Sequence, residues 1–599
     1  MTRHHPSRII PALFVLTIAT LPAQDFRHGQ PAQTQRDALA YLPEREMMFA
    51  KPQSSQMREL VERFQKDRAA LKRFYLVDNS ALQLKRLRDY HTQWQMFIEK
   101  MPYDGLDTDG RIDWHLMRRQ MRHEVALLDR AEKHNAEMAP LLPFAEDIAA
   151  LAEARREFKP VDHAATAGTL ARIRTTIEDV KKQLEKTDTK PGRITALRAA
   201  NRLEALGKNL ADWFKFHDGY DPEFGWWTRE PQKKLETALK DYTKFLREKI
   251  VGFKEGEDEP IVGDPIGAEG LALDLEHEMI PYTPADLIAV AEKEFAWCEA
   301  EWKKAARDMG LGDDWRAALE KVKQDHVAPG DQPALIAEQA YEAIEFVTKR
   351  DLLTVPPHAI DTWRMGMMSP ERQKVAPFFL GGEQILVSFP TDTMDHEDKL
   401  GSLRANNRHF CHATVHHELI PGHHLQSWYW DRYNPHRREL FSTPFWVEGW
   451  ALWWEFHLWD LGFQRTPEER AGALFWRTHR CARIIFSLKF HLGEWTPQQC
   501  IDFLVERVGH DRHTATGEVR RSFNGDYSPL YQVAYMMGAI QLRSLHGDLV
   551  KSGRMTEKEF HDGVLKGGVM PIEMVRARLT GAKLPRDYRS SWKFAGEKP

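Results

Sequence analysis

A mainly helical, two-lobed body with one small β-sheet is the fold class this chain predicts, and three observations carry it. Apolar residues recur three or four apart through long charged segments between about 33 and 250, the period of a half-buried helix. Helical patterning resumes after an acid-, Gly- and Pro-rich stretch near 254–265 and continues through the second half. Only one segment, Gln384 to Phe389, reads as a clear strand. The 599 residues contain no low-complexity stretch and no clear repeat, while 42% hydrophobic residues and 19 tryptophans supply an extensive core.

Taken in order, residues 1–23 are expected to be a secretory signal peptide. A basic stretch, Met1 to Arg8, precedes the apolar run Ile9 to Ala19, and cleavage is expected after Ala23. That run is shorter than the ~20 residues a membrane span needs, so no stable span is expected after cleavage. Losing Arg3 and Arg8 takes the net charge from -4 to -6. No cysteine follows the run where a lipid anchor would require one, and a periplasmic or secreted protein is the expectation. Four cysteines do not make a disulfide framework, and either no bridge or one bridge is compatible with export. The balance of 84 basic against 88 acidic residues, with no long basic block, gives no nucleic-acid footprint. Composition does not fix the oligomeric state.

Residues 24–265 form the expected N-terminal helical lobe, with amphipathic segments at Gln56–Arg73, Gln83–Met101, Ile112–Ala136 and Thr169–Lys186. Residues 266–599 form the C-terminal region expected to carry the chemistry. There Thr283-Pro284 marks a helix start, and a further helix is expected at Ala334–Lys349. The strand at 384–389 would lie beside the active helices, where an exposed edge could hold an extended peptide.

The segment from His409 to His424 places seven imidazole or carboxylate groups within sixteen residues. Asn406-Asn407 can cap a helix running from Arg408 until Pro421-Gly422 breaks it. Histidines four apart on a helix differ by about 40° and can share an ion. His417 and His423 are six apart and would diverge by about 120° on an unbroken helix. A bulge at Pro421-Gly422 would return His423 to the face of His417 and leave Glu418 free to take a proton from an activated water. The rival pair, His412 and His416, is correctly spaced but lacks a glutamate after its first member. A third ligand is expected from a helix capped by Thr443, begun by Pro444 and ended at Gly462. Glu448 and Glu455 lie two turns apart on one apolar face of it, and buried carboxylates need partners.

His417-Glu418-x-x-Pro421-Gly422-His423-His424-Leu425-Gln426, followed by Glu448-Gly449-Trp450-Ala451 and Glu455, resembles the bacterial domain-of-unknown-function family numbered 885, regarded as metallopeptidase-like. The second block also resembles the Asn-Glu-Gly-Phe-Ala block of gluzincin aminopeptidases. The resemblance implies a zincin-like fold and one Zn2+ held by His417, His423 and Glu448. It also implies support for the ligands from Glu455, with His424 beside them. Pro529 to Gly538 is similar to a family segment ending in Tyr-x-x-Gly, which makes Tyr535 a candidate for steadying the oxyanion. The family's Asp-x-Gly-x-His reads Ser487-Leu-Lys489-Phe-His491 here, keeping only the histidine, and His491 is the second oxyanion candidate. Arg521 matches a family arginine and is a candidate anchor for a peptide carboxylate. The expected activity is hydrolysis of peptide bonds in short peptides. The alternatives are a zinc amidase or esterase and a helical binding protein with a structural metal.

Overall fold

A computed structural model describes residues 55–256, 259–373, 376 and 378–596; the expected signal peptide, 1–23, lies outside them. The described chain is mainly helical with a single two-stranded parallel sheet. The expected N-terminal helices form with ends moved by a few residues, at Arg58–Phe74, Ala81–Glu99, Thr108–Met138 and His163–Lys186. Ser80, Asp107 and Asp162 cap three of them by accepting from backbone N–H groups of the first turn. Two more helices, Arg193–Asp218 and Pro222–Phe245, complete this part.

Two large hydrophobic cores organise the described chain. The larger core joins Met57, Trp114, Met117 and Met121 to residues between Leu271 and Phe594. A second core holds Val77 together with residues from Met138 to Leu246. The helix Thr108–Met138 enters both, because 31 residues at 1.5 Å each carry it about 46 Å. Buried polar contacts fix its first half to the C-terminal part. Asp113 accepts from Arg437 Nε at 2.6 Å and is 2.7 Å from His436 Nε2, while Tyr103 Oη donates to the Leu584 carbonyl at 2.7 Å.

The helix Pro444–Asp460 (the glutamate helix) is apolar on all sides, with Trp446, Trp450, Trp453 and Trp454 fully buried, as a helix enclosed by others must be. It crosses the helix Tyr531–Leu549 (the tyrosine helix) at Gly449 and Gly538. A Cβ added to Gly449 would stand 2.6 Å from Gly538 Cα, and one added to Gly538 would stand 2.2 Å from the Phe445 carbonyl oxygen. Glycine at both positions is therefore what lets the two backbones touch.

Strands β1 (Arg364–Met367) and β2 (Gln384–Val387) pair in parallel, Arg364 opposite Gln384. The strand is where the sequence placed it, but its other edge is not open for a peptide. Leu380 and Leu386 exchange hydrogen bonds of 3.0 and 2.7 Å there, so the chain covers its own edge and turns residues 378–382 toward the cleft. The four cysteines are buried and unbridged. No helix of the described residues is long and apolar enough to cross a membrane.

Candidate metal centre

The helix Arg408–Glu418 (the histidine helix) begins at Asn407, whose side chain accepts from the His409 and Phe410 N–H groups. It stops at Glu418, and a new helix, His423–Trp430, starts after Gly422. The break is held closed by Gly422 N donating to the His416 carbonyl at 3.0 Å and by Trp450 Nε1 donating to the Pro421 carbonyl at 2.9 Å. A Cβ on Gly422 would lie 1.8 Å from the His417 carbonyl oxygen, so only glycine permits this approach.

The break brings His417 and His423 onto one point. Their Nε2 atoms lie 3.6 and 3.3 Å from Oε2 of Glu448, an atom buried without a hydrogen-bond partner among the described residues. Ligand atoms at ~2.0–2.1 Å from a tetrahedral zinc sit about 3.3 Å apart, so each imidazole stands from Glu448 about as two ligands of one ion would, and His417, Glu418 and His423 present ligand atoms within 4.8 Å of one another. Each imidazole is turned by its other nitrogen. His417 Nδ1 lies 2.7 Å from Glu455 Oε1, and His423 Nδ1 lies 3.3 Å from Gln426 Oε1. Gln426 is fixed in turn by donating to the Trp446 carbonyl at 3.1 Å. Acceptors at both Nδ1 atoms hold the Nε2 lone pairs toward Glu448, the arrangement of metal-ligating histidines. The other oxygen of Glu448 accepts from the Tyr531 hydroxyl.

Burial pulls the His417 pKa down, but Glu448 and Glu455 outweigh it and raise it to about 9. Despite burial, His423 and His417 hold Glu448 well below the usual carboxylate range. Both shifts describe an imidazolium–carboxylate pair, and the carboxylates that favour a proton on His417 would equally favour a cation in its place. Glu418 faces the same cavity, its Oε2 4.0 Å from His423 Nε2, and burial lifts its pKa above the ordinary value. Among the described residues no hydrogen bond engages its carboxylate, and the Gly381 backbone packs against it: a Cβ there would be 2.2 Å from Oε2. A carboxylate so placed is available to accept and return a proton.

These groups line a cavity of about 260 Å³ together with Arg480, Arg483, Arg521, Tyr527, Tyr531 and Tyr535. That is near the small end of the ~300–1,000 Å³ typical of small-molecule sites. Tyr535 stacks toward His417 with ring centroids 6.3 Å apart, and the guanidinium carbons of Arg480 and Arg483 each lie 4.6 Å from its ring centre.

A family model described as a bacterial protein of unknown function (DUF885) matches residues 70–579. The chain belongs to this family. Two solved structures share the fold. One, from Shewanella oneidensis, is described as "a putative lipoprotein of unknown function". It is 17% identical, covers 88% of this chain and 100% of its own, and has a TM-score of 0.64. The other, described as a "putative lipoprotein" from Colwellia psychrerythraea, is 15% identical, with 88% and 97% coverage and a TM-score of 0.56. Curated proteins give no match.

In this DUF885 chain the structure gathers His417, Glu418, His423, Glu448, Glu455, Tyr535 and Arg521, and it corrects two expected placements. His491 does not reach the cavity. It lies eleven residues beyond Arg480, about 16 Å along the helix Pro467–His491, between Phe490 and Phe523, where burial pushes its pKa down to about 4. His424 turns away from the ligands, its ring nitrogens 2.9 and 3.2 Å from the Ala359 and Glu383 carbonyls, and lines a separate surface hollow. The rival pair does not assemble either. His412 meets Glu342 at 3.1 Å and stacks on Phe463, and both ring nitrogens of buried His416 are without partners. Tyr527, Tyr531, Arg480 and Arg483 were not among the residues singled out. Tyr531 and Tyr535 lie one turn apart and Trp476, Arg480 and Arg483 share a helix face, but neither spacing says what that face packs against.

Proposed function

We propose that this chain is an exported zinc-dependent peptidase acting on short peptides. The observation that carries the reading is the meeting of His417 Nε2 and His423 Nε2 at the buried, unpartnered Oε2 of Glu448, with Glu418 beside them in the cavity. Two histidines and a carboxylate are the ligand set of several hydrolytic zinc sites. When bound there, zinc would polarise the scissile carbonyl and lower the pKa of water.

The chain's own groups supply the rest. Glu418, with its raised pKa, accepts the proton of the attacking water and returns it to the leaving amine. Tyr535, kept protonated by a pKa raised through burial and the Glu448 charge, donates a hydrogen bond to the developing oxyanion. Glu455 and Gln426 hold the two imidazoles in the orientation that frees Nε2. Tyr531 engages Oε1 of Glu448 and leaves Oε2 to the metal. An adjacent carboxylate with no hydrogen-bonding duty favours catalysis over a structural zinc, which would be closed by four protein ligands. Export is supported by the layout of residues 1–23 and by the description of both solved relatives as putative lipoproteins.

Elemental analysis beside a mixed peptide library tests this directly. Wild type and Glu418→Gln should each carry about one zinc, His423→Ala little, and only wild type should cut peptides, Glu418→Gln being slower by ~10²–10⁴-fold. Full metal retention in His423→Ala, or zinc-loaded wild type that cleaves nothing in the library, would sink the reading.

A further inference from the structure

One wall of the cavity gathers three buried guanidinium groups with few direct partners. Arg480, Arg483 and Arg521 are 5, 1 and 5% exposed and all line it. Glu518 is the one carboxylate dedicated to them. It accepts from Arg483 Nε at 2.6 Å and lies 3.8 Å from Arg521 Nη1. Arg480 comes only within 3.7 Å of Glu455, whose same oxygen already serves His417. Arg521 Nη2 donates to the neutral Tyr527 hydroxyl at 2.9 Å. Arg483 Nη1, Arg480 Nε and Arg521 Nε are buried with no hydrogen-bond partner among the described residues. A buried guanidinium short of partners is costly unless an anion joins it, and guanidinium groups bind carboxylates with paired, charge-assisted bonds.

The wall also lies close to the candidate metal centre. The guanidinium carbons of Arg480 and Arg483 are 4.6 Å from the Tyr535 ring centre, which is 6.3 Å from that of His417, and Arg480 Nη2 is 3.7 Å from the Glu455 oxygen that meets His417. At ~3.3–3.6 Å per extended residue, these contacts leave room for no more than a few residues between a bond cut at the metal and a carboxylate on the arginines. The three arginines are themselves almost wholly buried, so the wall they form is backed by protein.

We propose that Arg480, Arg483 and Arg521 hold the free C-terminal carboxylate of the substrate, so that this site releases one or two residues from the carboxyl end of short peptides. The cleavage rests on the peptidase reading above; the carboxylate pocket rests on the arginines alone. Two measurements keep the two apart. The first compares hydrolysis of one peptide series as free acids, as C-terminal amides and as N-acetylated acids by the full zinc-loaded chain. Free acids should be cut at least tenfold better in kcat/KM than amides, N-acetylation should change little, and products should be single residues or dipeptides from the carboxyl end. Arg480→Met and Arg521→Lys should lose this preference chiefly through KM while retaining zinc. A merely structural defect would slow acids and amides alike and leave their ratio unchanged.

The second measurement is calorimetric binding of a dipeptide and its amide to the Glu418→Gln protein, which requires no catalysis. Tighter binding of the acid, by tenfold or more, with that difference lost in Glu418→Gln/Arg480→Met, supports the pocket even if wild type cuts no peptide, in which case only the peptidase reading falls. Equal binding of acid and amide, or a preference untouched by both arginine substitutions, overturns the inference.

Discussion

At the scale of single residues, the centre depends as much on groups that aim the ligands as on the ligands. Glu455 Oε1 fixes His417 through Nδ1 and is the acceptor that keeps the Nε2 lone pair outward. Glu455→Gln keeps the shape but can present its amide N–H₂ to that nitrogen, so the wrong tautomer competes. Zinc affinity is expected to fall ~10–100-fold with the fold intact, measured by competition against a chelator. Unchanged affinity would show that Glu455 serves only packing. Tyr531 gives a parallel case: Tyr531→Phe removes the donor to Glu448 Oε1, and the zinc off-rate should rise while the far-ultraviolet circular dichroism stays the same.

At the scale of elements, three glycines set the geometry. Gly422 allows the chain to fold back on the His417 carbonyl, while Gly449 and Gly538 let the glutamate and tyrosine helices touch, so that Glu448 and Tyr531 meet. Gly538→Ala must force those helices apart against the Phe445 carbonyl. A loss of about 1–3 kcal/mol in denaturant unfolding is expected, with a fall in zinc content. Retention of both stability and metal would show that the crossing yields easily.

The start of the glutamate helix adds a pH dependence. Thr443, its cap, donates to Glu278 Oε2 at 2.6 Å, and burial raises Glu278 to about 8 against an ordinary value of 4.5. Because the folded-state pKa is the higher one, this stabilisation is complete below about 4.5 and is lost as pH rises to about 8. The slope from this group is ~1.4 kcal/mol per pH unit at most. Glu278→Gln should flatten the unfolding free energy between those limits and make the variant the more stable protein at pH 8. An unchanged slope would remove Glu278 from the account.

At the scale of the molecule, the helix Thr108–Met138 ties the second core to the body that holds the candidate metal centre. Asp113, wholly buried between Arg437 and His436, is the polar anchor of that tie. Asp113→Ala leaves the Arg437 charge with the Asp109 carboxylate, the Asp109 and Gly567 carbonyls and the Met570 sulfur. A loss of about 3–5 kcal/mol is expected in chemical denaturation, since breaking one side of a buried pair exposes the full desolvation cost of the other. A loss below about 1 kcal/mol would place the tie in the apolar contacts instead.

The sequence by itself determined the helical class, one of the two strands, the helix starts at Asn407, Thr443 and Thr283, and the family, because caps, periodicity and motif spacing are local properties of the chain. It also pointed to the pairing of His417 with His423 through a break at Pro421-Gly422, while His412 and His416 stood as a rival pair and Glu448 came as a ligand only from the family resemblance. Only the tertiary structure decided which side chains share the cavity. His491 and His424 carry suitable chemistry, but helix rise takes the first too far along, and the second faces the opposite side of its turn. Arg480 and Arg483 read as ordinary helix charges until the packing of the tyrosine helix encloses them beside Tyr535. Burial converts a side chain's type into a role, and burial is set by contacts between residues far apart in sequence, which no local pattern records.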